Sequence, residues 1–154
     1  MIEPLLHPRT QGLLKNYLIQ PAHGLLLTGK SGVGKTYVAQ WLAQQLGTGH
    51  YMVEKPETKS GIGIEQIREL YTHTRTGSPL CIIIKNAQLL SPEAQNAFLK
   101  LLEEPPQNTR FILTAQRATQ LLKTIRSRMQ HITVSEPPKD TLLAFVRAQS
   151  QLSE

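Results

Sequence analysis

Residues 29–36 read Gly-Lys-Ser-Gly-Val-Gly-Lys-Thr, which satisfies the spacing G-x-x-x-x-G-K-[ST] with Gly29, Gly34, Lys35 and Thr36 at the fixed positions. The chemistry this pattern supports is the grip of a row of phosphates. Glycine accepts the positive φ angles that turn successive backbone N–H groups inward, so Gly29, Lys30, Ser31, Gly32, Val33 and Gly34 would form a cradle of donors. Lys35 would reach the β and γ phosphates, and the Thr36 hydroxyl would ligate Mg²⁺. A helix starting near Lys35 aims its positive end at the anion. With glycine near ~7% of residues, a chain of this length meets the pattern by chance under about 1% of the time.

A phosphate loop that hydrolyses needs a carboxylate at the end of a neighbouring buried strand to hold Mg²⁺. The candidate strand, Cys81-Ile-Ile-Ile84, ends instead in Lys85-Asn86. An ammonium there repels a cation, and even two unit charges 4 Å apart are worth about 4 kcal/mol at an effective dielectric of about 20. The sole aspartate, Asp140, lies beyond the last strand signal. Glu103 and Glu104 end a helical stretch and read as surface groups, so no general base is evident. Two readings of Lys85 stand: a solvated residue at a strand tip, which is the simpler, or a charge that partly replaces a metal beside bound phosphate. Either way, the chain is expected to hold a triphosphate and to hydrolyse it poorly.

Strand and helix signals alternate as in a parallel α/β sheet. His23–Thr28 is a short apolar strand before the loop, and Tyr37–Leu46 after it has helical spacing closed by Gly47. Gly49–Lys55 is a weaker strand, residues 56–63 a polar loop, and Ile64–Tyr71 an amphipathic helix. Leu80–Ile84 is continuously apolar, as expected of a strand covered on both faces. Ser91, Pro92 and Glu93 then open a helix with an apolar stripe at Ala94, Ala97, Phe98, Leu101 and Leu102, which Pro105-Pro106 stops. Arg110–Thr114 is a further buried strand, Leu121–Arg128 a short helix, Gln130–Val134 the last strand and Asp140–Gln149 a final helix.

The 154 residues suffice for one domain with a real core, and 40% are apolar. No apolar run approaches a membrane span, and the first residues carry Glu3, Pro4, His7, Pro8 and Arg9, unlike a signal peptide. Cys81 is the only cysteine, which excludes an internal disulfide and a four-cysteine zinc module. A cytoplasmic location is the resulting expectation. The net charge is +6, and between Lys100 and Arg128 six basic residues face two acids. Such a surplus suits nucleic-acid phosphates, and equally a solvated surface without a partner.

The stretch Ala87-Gln-Leu-Leu-Ser-Pro-Glu-Ala-Gln-Asn-Ala-Phe-Leu-Lys-Leu-Leu-Glu-Glu-Pro-Pro106 resembles the signature helix of bacterial clamp-loader ATPases of the AAA+ class, the gamma/tau and delta-prime subunits of the DNA polymerase III holoenzyme. Leu6–Arg9, His23–Thr28 and Ile62–Leu70 are similar to other parts of that family. Gln120-Leu-Leu-Lys-Thr-Ile-Arg-Ser-Arg-Met129 resembles the segment carrying its Ser-Arg-Cys motif and leans toward delta-prime. The resemblance implies a three-layer α/β/α P-loop domain of the AAA+/RecA-like kind, with five parallel strands in the order 5-1-4-3-2. It implies ATP or ADP as ligand, with Mg²⁺, and other clamp-loader subunits of the gamma/tau and delta kinds as partners, with DNA as a further contact. It matches Arg128 to an arginine finger that acts on the ATP of a neighbouring subunit, with a surface salt bridge as the alternative.

Four departures accompany the resemblance. Lys85-Asn86 stands where the family has Asp-Glu or Asp-Ala, and its polar sensor falls near Ala115-Gln116, where only Gln116 is polar. Met129 replaces the cysteine, and the family's zinc module is absent from the sequence. The family continues into a lid and a collar, so residues 1–136 are expected to form the P-loop core and 137–154 a C-terminal helix left from the lid. The favoured expectation is a delta-prime-like subunit that binds ATP. The alternatives are an ATPase completed by a partner's acid, and a docking module with an idle loop.

Overall fold

Five strands, all parallel, line up in the order β2-β3-β4-β1-β5. They are β1 (Gly24–Thr28), β2 (Gly49–Val53), β3 (Leu80–Ile84), β4 (Thr109–Ala115) and β5 (Gln130–Thr133), and the order is the expected 5-1-4-3-2 read from the other edge. The computed structural model describes residues 1–151, so residues 152–154 of the expected C-terminal region lie outside the described residues. Between the strands run α1 (Pro8–Ile19), α2 (Lys35–Gln45), α3 (Ile64–Thr74), α4 (Pro92–Glu103) and the single turn α5 (Lys123–Arg126); α6 (Lys139–Gln151) follows β5.

The central strands are apolar throughout because both faces are covered. Successive side chains alternate between two cores. Leu26, Ile82, Ile84, Phe111 and Leu113 face α3 and α4, where Ile67, Leu70, Phe98 and Leu101 meet them. Leu25, Leu27, Cys81, Ile83 and Ile112 face α1 and α2, against Leu14, Tyr17, Val38 and Leu42. Each fully buried leucine or isoleucine contributes about 1.5–3 kcal/mol relative to exposure, so the two layers hold the strand tips rigidly in register.

The sequence cues at helix ends behave as their chemistry requires. Ser91 caps α4 by accepting the Ala94 N–H at 3.1 Å, with Pro92 in its first turn. Gly47, at φ 68°, closes α2 with the paired backbone bonds Gly47 N–H to Gln44 and Thr48 N–H to Ala43.

The structure adds one helix that the sequence reading left out. In α1 only Thr10, Leu14 and Tyr17 are buried, a narrow stripe that includes a polar residue, so its period is faint. It is set by tertiary ties instead. Tyr17 donates to the Ala22 carbonyl at 3.0 Å, Arg110 donates to Pro21 at 2.7 Å, and Thr10 donates to Thr133 at 3.1 Å. The strand at residues 49–55 is shorter than expected, ending at Val53, and the short helix expected over 121–128 is confined to Lys123–Arg126.

A parallel sheet brings all its carboxyl ends to one edge. The loop 29–36, Lys85-Asn86, Gln116 and Ser135 therefore share that edge, although they are far apart in sequence.

A phosphate loop beside a lysine-tipped strand

The loop runs from the end of β1 into the first turn of α2. Gly29, Gly32 and Gly34 have φ of 151°, 82° and 95°. Gly29 is also sterically required, because a Cβ there would lie 2.5 Å from the Val134 carbonyl oxygen. Gly34 caps α2 without a side-chain hydrogen bond, so the first-turn N–H groups of α2 depend on water or a ligand. Lys35 is only 7% exposed. Its ammonium donates to the carbonyls of Gly29 at 2.8 Å and Lys30 at 2.7 Å. Burial lowers its pKa from the ordinary value, as desolvation does for any buried cation.

A cavity of about 260 Å³ opens over this loop. Ser31, Gly32, Gly34, Lys35 and Thr36 line one side; Lys85, Asn86, Thr114 and Gln116 line the other, with Tyr37 at the rim. Gly29, Lys30 and Val33 turn to a second hollow, against Thr133, Val134, Ser135 and Glu136. A third, apolar cleft lies between Ile2, Pro4 and Leu6, Val33, Tyr37 and Val38 of the loop and α2, and Phe145 of α6. The N-terminal segment is held there by the Tyr37 hydroxyl, which donates to the Ile2 carbonyl at 2.7 Å.

The strand tip facing the loop is fixed by backbone contacts. Lys85 N–H donates to Val53 at 2.9 Å, and Asn86 N–H donates to the Thr114 hydroxyl at 2.9 Å. Asn86 itself is left-handed, at φ 54°. The Lys85 ammonium meets Glu54 at 3.2 Å, with 41% of the lysine and 57% of the glutamate side chain exposed. A pair this exposed contributes about 0–1 kcal/mol and exchanges partners readily.

No residue lining the cavity over the loop is acidic. Mg²⁺ requires near-octahedral oxygen ligands that usually include one or two carboxylates. Thr36 supplies a hydroxyl, but the strand tip that would complete the set carries Lys85. The residues present do not fit the metal. Among the described residues no cluster of three or more His, Cys, Asp or Glu could hold a metal ion either.

Arg128 lies elsewhere. It follows α5 and is absent from the lining of the cavity over its own loop. Its guanidinium donates to the Thr124 carbonyl at 2.8 Å and to Glu103, at the end of α4, at 3.1 Å. The segment is docked on α4 by Gln95, whose side-chain oxygen accepts the Leu122 N–H at 2.9 Å. Met129 is buried and packs beside Gly24, a packing role.

The site thus unites Lys35, Thr36 and Gln116 with Lys85-Asn86, as strand order predicts, and leaves Arg128 apart. Sequence reasoning missed Thr114, whose only signal was a hydroxyl inside an apolar run, and Glu54, whose partner lies 31 positions away.

A five-stranded parallel sheet in this order, with a glycine-rich loop between the first strand and its helix, is the α/β/α P-loop fold of AAA+/RecA-like domains. The fold matches a Thermotoga maritima RuvB variant at TM-score 0.75 over 94% of this chain and 50% of that one, at 17% identity. A gamma-subunit-related protein of DNA polymerase III from Thermotoga maritima superposes at TM-score 0.69, with 26% identity over 85% of this chain and 47% of that one. A family model described as DNA polymerase III, delta subunit, matches residues 50–138. The chain belongs to that family. Among its relatives, the delta-prime subunit of Escherichia coli is 32% identical over 68% of this chain and 33% of that protein. The gamma subunit of Buchnera aphidicola is 30% identical over 81% of this chain and 41% of that protein. The chain spans less than half the length of these relatives.

Proposed function

We propose that this domain binds a nucleoside triphosphate, ATP or its diphosphate, hydrolyses it poorly alone, and serves as a delta-prime-like clamp-loader subunit in DNA replication. One observation carries the reading: the cavity over Ser31, Gly32, Gly34, Lys35 and Thr36 is lined by two lysines, Lys35 and Lys85, and by no carboxylate. Exchanging the neutral carbonyls that now hold Lys35 for phosphate oxygens would replace ordinary hydrogen bonds with charge-assisted ones. The apolar cleft beside Val33 and Tyr37 is the place for the base.

In this reading Arg128 serves a neighbouring ATPase subunit of the gamma/tau kind as an arginine finger, since it stands away from its own loop's cavity. A delta-like subunit would be a further partner. Residues 1–136 act as the core; residues from 137 onward, with Leu142, Leu143, Phe145 and Val146 exposed on α6, belong to the lid side. The exposed Arg117 and Lys123 would supply basic surface for DNA.

The test is a titration with a fluorescent ATP analogue. Wild type should bind saturably, and Lys35→Ala should weaken binding by roughly tenfold to a hundredfold, the range for a lost charged hydrogen bond. Equal binding by both proteins, or none by either at millimolar ligand, overturns the reading.

A further inference from the structure

Lys85 sits where a triphosphate site of this class needs its metal-holding acid, and it lines the same cavity as Lys35 and Thr36. Its backbone is pinned by the bond to Val53, and its neighbour Asn86 by the bond to Thr114. The position of the side chain's root is therefore set, while its ammonium rests on a single half-exposed carboxylate, Glu54. A triphosphate in the cavity is a stronger acceptor than that screened pair.

Resting on the triphosphate reading of this site, we propose that Lys85 takes the place of the magnesium ion, so that the loop binds the metal-free triphosphate at least as tightly as its magnesium complex. The charges support this. A metal-free triphosphate carries two more negative charges than its magnesium complex; Lys35 faces both forms, while Lys85 puts a positive charge where a metal-holding acid would put a negative one, a difference of two in the site itself. An ammonium offers three rotatable donors and demands no fixed ligand shell, so phosphate oxygens satisfy it from several directions. Magnesium in the same place would meet Lys85 as a like charge and find neutral hydroxyls, of Ser31 and Thr36, but no carboxylate on the cavity's loop side.

The experiment compares the affinity of a fluorescent ATP analogue in excess EDTA with that in millimolar Mg²⁺, for wild type, Lys85→Asp and Lys85→Ala, each checked by thermal melting. Wild type should bind in EDTA as tightly as in Mg²⁺, or more tightly. Lys85→Asp should lose about tenfold or more in EDTA and regain affinity with Mg²⁺. Lys85→Ala, which adds no repulsion toward Glu54, should also weaken binding in EDTA. Tightening of wild type by about tenfold or more on adding Mg²⁺ overturns the proposal. So does an unchanged EDTA affinity in Lys85→Ala. Absence of wild-type binding in both buffers is a different result, because it removes the triphosphate reading itself.

Discussion

Arg128 and Glu103 are joined at 3.1 Å across the gap between the turn after α5 and the end of α4. The side chains are 39% and 46% exposed, so the pair contributes at most about 1 kcal/mol to stability. Its consequence is positional: the pair holds the guanidinium against the end of α4 on its own chain. Arg128→Ala should leave nucleotide binding and folding intact, yet slow the ATP turnover of an assembly with a partner ATPase by about 10³-fold or more. Glu103→Gln should leave the melting temperature nearly unchanged and not slow that turnover. Steady-state phosphate release by the mixed assembly checks both, and an unchanged rate in Arg128→Ala removes the finger assignment.

Gly29 is the tightest position in the loop. Alanine there would push a methyl group to 2.5 Å from the Val134 carbonyl, which is backbone and cannot turn aside. Gly29→Ala should destabilise the domain by about 1–3 kcal/mol, the usual range for overpacking. Gly32→Ala meets nothing within 4 Å, so its strain is limited to its φ of 82°. Urea midpoints of the two variants should rank Gly29→Ala below Gly32→Ala.

Two buried acids on the α1/α2 side should weaken the fold at alkaline pH. Burial pushes the Cys81 thiol from 9.0 up to about 12, partly offset by the Arg110 guanidinium. Burial, with Cys81 nearby, pushes the Tyr17 hydroxyl from 10.0 to about 12. In each case the unfolded chain loses its proton first, so the native state is favoured below pH 9 and loses that advantage as pH rises toward 12. The fall should begin with Cys81, above pH 9, and steepen with Tyr17, above pH 10. Cys81→Ala should delay the onset of alkaline unfolding while keeping the tyrosine step. The native thiol should also resist alkylation at pH 8, since the thiolate is the reactive form.

What could be read beforehand was what is written locally. The phosphate loop is one contiguous segment, and the runs at 80–84 and 110–114 announce strands covered on both faces. Parallel strands then bring Lys85 and Lys35 to one edge of the sheet, and the strand order implied by the family resemblance sets them near each other. Contacts across long separations were beyond reach. The Lys85–Glu54 and Arg128–Glu103 pairs span 31 and 25 positions, and nothing at either residue names the other. Glu103 reads as a surface group in sequence and is one, 46% exposed; its pairing with Arg128 is what the sequence does not name. Helix α1 escaped for a related reason, because the bonds from Tyr17 to Ala22 and from Thr10 to Thr133, and that of Arg110 to Pro21, reach partners outside the helix.

The most direct test of the account is steady-state phosphate release by the isolated chain at saturating ATP and Mg²⁺, alongside its Lys35→Ala variant. A strand tip that carries Lys85 in place of a carboxylate predicts release no faster than in buffer, with wild type and variant indistinguishable. Turnover by wild type that Lys35→Ala abolishes would show that this polypeptide assembles a complete hydrolytic centre by itself, and would contradict the account.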